Sequence, residues 1–195
     1  MTLIAQWVWH AGDPAPRNLH LQFRRAFDLP ARPGAATLHL SADSRYLLYV
    51  NGVRLGYGPA RAYQENYEYD SYDLTAHLTV GRNLIAVDVS HYGEATFQHR
   101  VGRGGLIAQL DVDGQPRLWT DSAWRTKPSA ALIQHTPRAA IQLPWEEQVD
   151  ARLEDVGWTT AGFDDTAWEP ALVIGPLVLG PCCSGPKGQG LRSRQ

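Results

Sequence analysis

Along most of this chain apolar residues recur at every second position, which is the spacing of strands with one buried face. In LHLQFRRAF, Leu19, Leu21, Phe23 and Phe27 share one parity and Arg25 interrupts it. In ATLHLSA, Leu38 and Leu40 face one way and Thr37 and His39 the other. NLIAVDVSHY (Asn83 to Tyr92) sets Ile85, Val87 and Val89 against Leu84, Ala86 and Asp88. GLIAQLDV (Gly105 to Val112) is a further apolar run, and the segments around Leu118 and Arg125 read as two short strands. Trp7 and Trp9 share a parity in an N-terminal strand.

The runs are separated by turn chemistry: Pro30 to Gly34, Asn51-Gly52, Gly81-Arg82-Asn83 and Asp113-Gly114. YLLYV and VRLGYG flank Asn51-Gly52, the strongest short hairpin signal, because a type I′ turn needs φ > 0 at both central residues. Asn51 is therefore expected to serve the backbone. No stretch of helix length carries a 3.6-residue period. DSYDLTAHLTVG and FDDTAW each allow a single helical turn, the second capped by Asp164 or Asp165. Many short strands with no intervening helices predict an all-β, jelly-roll or galactose-binding-like β-sandwich over residues 1–174. Residues 175–195, rich in Gly and Pro and basic at the end, read as a disordered tail or linker.

Composition narrows the function. At 195 residues, 44% hydrophobic and 19% charged, the chain can build one sizeable core. A net charge of -2 with no Lys/Arg run provides no field for nucleic acid or for a membrane surface. No apolar run approaches the ~20 residues of a membrane helix. The N-terminus has neither a basic n-region nor an apolar h-region, so a cytoplasmic location is expected. The two cysteines, Cys182 and Cys183, are adjacent and so poorly spaced to bridge each other, and no zinc-type spacing occurs.

Five of the eight tyrosines lie between Tyr57 and Tyr72, in a segment that also carries Arg61, Gln64, Glu65, Asn66, Asp70 and Asp73. Tyrosine pairs an apolar face with a polar tip, as sugar rings pair C–H patches with hydroxyls. The segment thus reads either as a carbohydrate-binding loop or as core tyrosines on a long connection. Catalytic signals are weaker. Glu146-Glu147 are adjacent, so in a strand they point to opposite faces. Asp73 reads as a turn cap for the Thr75 amide. The seven histidines show no metal spacing, no GxSxG occurs, and GRGG (Gly102 to Gly105) precedes a strand rather than a helix. His39 falls on the polar face of its strand, and His91 either makes a structural hydrogen bond or reaches a site at the sandwich end.

Three segments in order, YLLYVNGVRLGYGPAR, YDSYDLTAHLTVGRNLIAVDVSHYG and DARLEDVGWTTAGFDDTAWEPA, resemble the N-terminal β-sandwich region of bacterial α-L-rhamnosidases, glycoside hydrolase family 78-like, over roughly residues 5–174. The resemblance implies a non-catalytic accessory module that supports hydrolysis of terminal α-L-rhamnosides by an (α/α)₆ barrel lying outside this chain. Its partners would be a rhamnose-containing carbohydrate or that barrel. The alternatives are a purely structural packing domain and a small stand-alone glycosidase. The candidate sugar-binding residues are Arg61, Tyr63, Tyr67, Asp70 and His91. No cofactor is expected, except that related sandwiches hold rhamnose through calcium, for which Asn66, Asp70 and Asp73 are the nearby oxygen donors. Trp124, Trp158 and Trp168 sit where the family places packing residues and read as mostly structural, with some of them exposed where no barrel covers them.

Overall fold

The computed structural model describes residues 3–62, 66–176 and 192–193. Two sheets stack face to face. Sheet A runs β12 (Leu172–Pro176), β1 (Gln6–Trp9), β8 (Gly105–Val112), β3 (Ala36–Asp43) and β6 (Glu68–Asp73), with β9 (Gln115–Trp119) hairpinned to β8 and the two-residue β13 (Arg192–Ser193) parallel to β6. Sheet B runs β11 (Glu169–Pro170), β10 (Arg125–Pro128), β2 (Leu19–Leu29), β7 (Gly81–His91), β4 (Arg45–Val50) and β5 (Val53–Gly58), all antiparallel. The fold is the β-sandwich that the alternating pattern predicts.

The core lies between the sheets. Leu21 and Phe23 of β2, Leu48 and Val50 of β4, and Ile85, Val87 and Val89 of β7 meet Leu38 and Leu40 of β3 and Leu106 and Leu110 of β8. Each such side chain contributes about 1.5–3 kcal/mol by leaving water. The longest ladder, β2 against β7, pairs Leu19 with His91 through to Leu29 with Gly81. The predicted Asn51-Gly52 hairpin turn forms, with Asn51 at φ 50° and Gly52 at 86°, and the turn expected at Asp113-Gly114 joins β8 to β9 with φ of 50° and 78°. Asn51 also ties its hairpin down: its amide donates to His77 O and Asn83 Oδ1, and its oxygen accepts from Leu84 N. The two expected helical turns are single turns, at Leu74–Leu78 and at Asp164–Trp168, where Asp164 accepts from Thr166 N.

Two expectations about tryptophan are corrected. Trp7 and Trp9 do not share a face: the pairing with β12 shifts register between Trp7 and Val8, so Trp9 enters the main core with Val8. Trp7 packs outside it with Ala5, Tyr67 and Ile107. Nor are Trp124, Trp158 and Trp168 exposed. All three are buried, and Trp158 and Trp168 are folded by residues 155–168 onto the outer face of sheet B, over Leu84 and Ala86 of β7. The expected tail falls mostly on residues 177–191 and 194–195, outside the described residues, as do Cys182 and Cys183; Gly175 and Pro176 belong to β12 and pair with β1.

Candidate functional site

At one end of the sandwich a cleft of about 200 Å³ opens between the β3–β4 junction, the segment after β5 and the loop after β7. Its floor is Asp43, the last residue of β3, which is fully buried. Oδ2 accepts the Tyr67 hydroxyl at 2.6 Å. Oδ1 accepts from His91 Nδ1 at 2.9 Å and from Ser44 Oγ at 3.0 Å, with His99 Nε2 at 3.4 Å. Burial alone would push the Asp43 carboxyl up, but hydrogen bonds from His91 and His99 override it and hold the group well below the usual carboxylate range. Asp43 is therefore a fixed anion with its acceptor capacity committed.

Ser44, His99 and Asp43 superficially suggest a nucleophile, base and acid. The geometry is not that of a triad. Ser44 Oγ meets His99 at Nε2 (2.9 Å), and Asp43 approaches the same nitrogen, whereas a triad needs the acid on the opposite ring nitrogen. Ser44 Oγ also accepts from Tyr92 N. The cluster is a polar scaffold under the cleft.

Of the residues singled out from sequence, Arg61 is exposed and lines the cleft, and Tyr67 lines it too. The Tyr67 ring is buried and tilted against Trp7 at a centroid distance of 5.0 Å, so it offers the cleft no open stacking face. His91 lies beneath the cleft, buried, with its ring edge-on to Trp9. Asp70 of β6 is not among the cleft-lining residues and accepts the hydroxyl of Tyr46, from β4 of the other sheet, at 2.6 Å. Tyr63 lies outside the described residues. His39 is half-buried and bonds Ser71.

The three calcium candidates do not converge. Asp70 and Asp73 are three apart on β6 and so face opposite ways. Asp70 takes the Tyr46 hydroxyl, while Asp73 accepts from Thr75 N and Oγ1 as a turn cap. Asn66 and Glu68 line a concavity that continues the end cleft past Arg61 and His99. Among the described residues no three His, Cys, Asp or Glu side chains are placed to hold a metal. The donor set does not fit calcium at that position.

A second concavity, about 360 Å³, lies on the outer face of sheet B. Its floor is His20 of β2, Asp88 and Ser90 of β7, and Leu47 of β4; Tyr57 and Arg54 of β5 form one side, and Pro144, Trp145 and Glu147 roof it. Trp145 is fixed by its Nε1 bond to Tyr92 O and by the Arg17 guanidinium 4.5 Å over its ring. Sequence reasoning passed over this groove, although an acid inside the apolar run NLIAVDVSH was a visible signal.

Residues 31–178 match the α-L-rhamnosidase N-terminal domain family. Over 162 residues the chain is 32% identical to an α-L-rhamnosidase of Streptomyces avermitilis, which takes in 75% of this chain and 15% of that enzyme. The whole fold superposes on part of a family 78 rhamnosidase of Bacillus sp. GL1 with a TM-score of 0.91 and 41% identity, covering 20% of that chain. The Streptomyces avermitilis rhamnosidase solved with L-rhamnose superposes over 91% of this chain and 15% of its own, with a TM-score of 0.63 and 25% identity. The chain thus spans roughly 15–20% of the length of these relatives.

Proposed function

This chain belongs to the α-L-rhamnosidase N-terminal domain family, and from that premise we propose that it is a non-catalytic accessory domain that holds a rhamnose-containing carbohydrate for an α-L-rhamnosidase-like glycoside hydrolase. Hydrolysis of the terminal α-L-rhamnoside would fall to a separate catalytic domain. The observation that carries the sugar-binding part is the end cleft. It brings Arg61 and Tyr67 together above a hydrogen-bonded polar floor of Asp43, Ser44 and His99. Arg61 has donors in a planar fork suited to sugar hydroxyls, and the His91–Asp43 bond keeps the floor from rearranging when a ligand enters.

Titration calorimetry of the chain with L-rhamnose, beside D-galactose and D-glucose, with and without calcium, tests this reading. Saturable heat for L-rhamnose, weakened about tenfold by Arg61→Ala and insensitive to calcium, supports it. Absence of heat up to tens of millimolar overturns it. The second reading, a domain that only packs on its catalytic partner, is favoured by one feature: Phe97, 80% exposed, and Ile141, 77% exposed, lie on two loops joined by the Phe97 N to Gln142 O bond beside the cleft mouth. An apolar pair so exposed suits a protein surface better than water.

A further inference from the structure

The groove on the outer face of sheet B adjoins the end cleft at Arg45, Tyr92 and Pro144, but its argument does not rest on the cleft's role. Antiparallel register places Gln22 of β2 opposite Asp88 of β7, Asp88 opposite Leu47 of β4, and Leu47 opposite Tyr57 of β5. These four side chains therefore form one row across the sheet. The next row toward the strand ends carries His20, Ser90 and Arg45. The row on the other side, Arg24, Ala86 and Tyr49, lies beneath Trp158, Trp168 and Phe163. The groove is the part of this face that the wrapping segment leaves open.

Asp88 is the unusual member. It is 8% exposed, and Oδ2 pairs with His20 Nδ1 at 3.2 Å, but Oδ1 is buried without a hydrogen-bond partner. Gln22 Oε1, its neighbour in the row, is also buried without one. A buried acceptor left unpaired costs about 1–3 kcal/mol, more for a charged group. Such a cost persists where a ligand's donor completes the site. We propose that this groove is a second binding site and that it takes a neutral polyhydroxylated ligand, a sugar unit of a glycan chain, with Asp88 Oδ1 accepting a ligand hydroxyl.

Three observations define that class. The lining charges come close to cancelling: Arg45 and Arg54, joined by His20 when it is protonated, stand against Asp88 and Glu147, so no strong field selects an ion. Half-buried Leu47 and the ring of Tyr57, 69% exposed, give an apolar strip for the C–H face of a sugar ring. The volume of about 360 Å³ is at the small end of the ligand-cleft range of about 300–1,000 Å³. Glu147 also faces His20 across the groove and, with Asp88, raises its pKa against the opposing effect of burial. A ligand hydroxyl on Asp88 would therefore be felt at His20.

The test is a two-dimensional amide NMR titration of the full chain with L-rhamnose, D-galactose, D-glucose and cellobiose, with D-glucuronate and methylammonium as charged controls. Saturable shifts at Leu47, Asp88 and Ser90 with a neutral sugar, accompanied by movement of the His20 titration midpoint and weakened about tenfold or more by Asp88→Asn, support the proposal. Tyr57→Ala, at an exposed position, provides the second variant should Asp88→Asn fold poorly, and it is expected to weaken the same shifts. Shifts confined to Asp43, Ser44 and Ala62 overturn the groove while favouring the end cleft. Shifts confined to the groove do the reverse. A stronger response to glucuronate or methylammonium than to every neutral sugar overturns the ligand class, and no response at the groove overturns the site.

Discussion

Arg24 and Asp88 sit on the same outer face of sheet B, one row apart, and both are more than nine-tenths buried, yet their surroundings differ completely. Arg24 is saturated. Its Nε donates to Asp165 Oδ2 at 2.9 Å, its terminal nitrogens donate to the carbonyls of Thr160 and Phe163, and its guanidinium lies 4.8 Å over the Phe163 ring. Asp88 has one partner on one oxygen. Arg24 is a fastening for the segment that wraps the sheet, whereas Asp88 lies in the groove floor with one buried oxygen left unsatisfied. Burial alone does not separate a structural charge from a binding one; the number of satisfied hydrogen-bonding positions does.

The sharpest way to break the comparison is Arg24→Ala. Removing the guanidinium strands Asp165 and two carbonyls and unseats the wrap, so a loss of about 3 kcal/mol is expected in urea unfolding; Asp165 is partly solvated, which places the value at the low end for broken buried pairs. A loss below about 1 kcal/mol would mean that the wrap holds without its fastening. Trp168→Ala acts on the same wrap through packing, with about 3 kcal/mol expected from thermal or chemical melts.

Asp43 provides a third point, a buried acid that is saturated. Its folded pKa is depressed below the ordinary 3.8, so its contribution is fully present above that value and is lost as pH falls below about 4 toward the folded pKa. Acid unfolding of Asp43→Asn is expected to lose this component of its pH dependence, which a comparison of melts at pH 3 and pH 5 reads directly. Asp88→Asn is expected to change neutral-pH stability by less than about 1 kcal/mol, because one oxygen of the native carboxylate already lacks a partner. The smallest effect belongs to His20. Its folded pKa is raised above 6.5, so its contribution is complete below 6.5 and fades as pH rises through the folded value. In Asp88→Asn the His20 ring signals should titrate at lower pH than in the parent chain; an unmoved midpoint would show that the pair is not electrostatically coupled.

The sheets were legible in sequence because alternation is a local property, as are the φ > 0 demands of Asn51-Gly52 and Asp113-Gly114. The placement of Trp7 was not, since the register shift that turns it outward arises from pairing with β12, far along the chain. Residues 131–168 carry no period, so their covering of sheet B was invisible until tertiary packing supplied it. The same holds for the candidate sites. Tyrosine density points to Arg61 and Tyr67, but Asp43, Tyr67, His91 and His99 meet only because β3 and β7 end, and β6 begins, at one end of the sandwich. Asp88 sat in plain view among apolar residues and was assigned to a face without a role.

The wrap over sheet B also bears on how the protein is made. Arg24 bonds a residue 141 positions further on, and β1 finds its neighbour in β12. At roughly 5–20 residues per second, a ribosome leaves Arg24 waiting on the order of ten seconds for Asp165. During that interval the nascent chain presents an unfastened cation beside bare Leu84 and Ala86, and a strand edge at β1. Edge strands β11 and β12 join their sheets only at residues 169–176, so the fastening follows synthesis of most of the sandwich, and the nascent intermediate offers chaperones a defined apolar face.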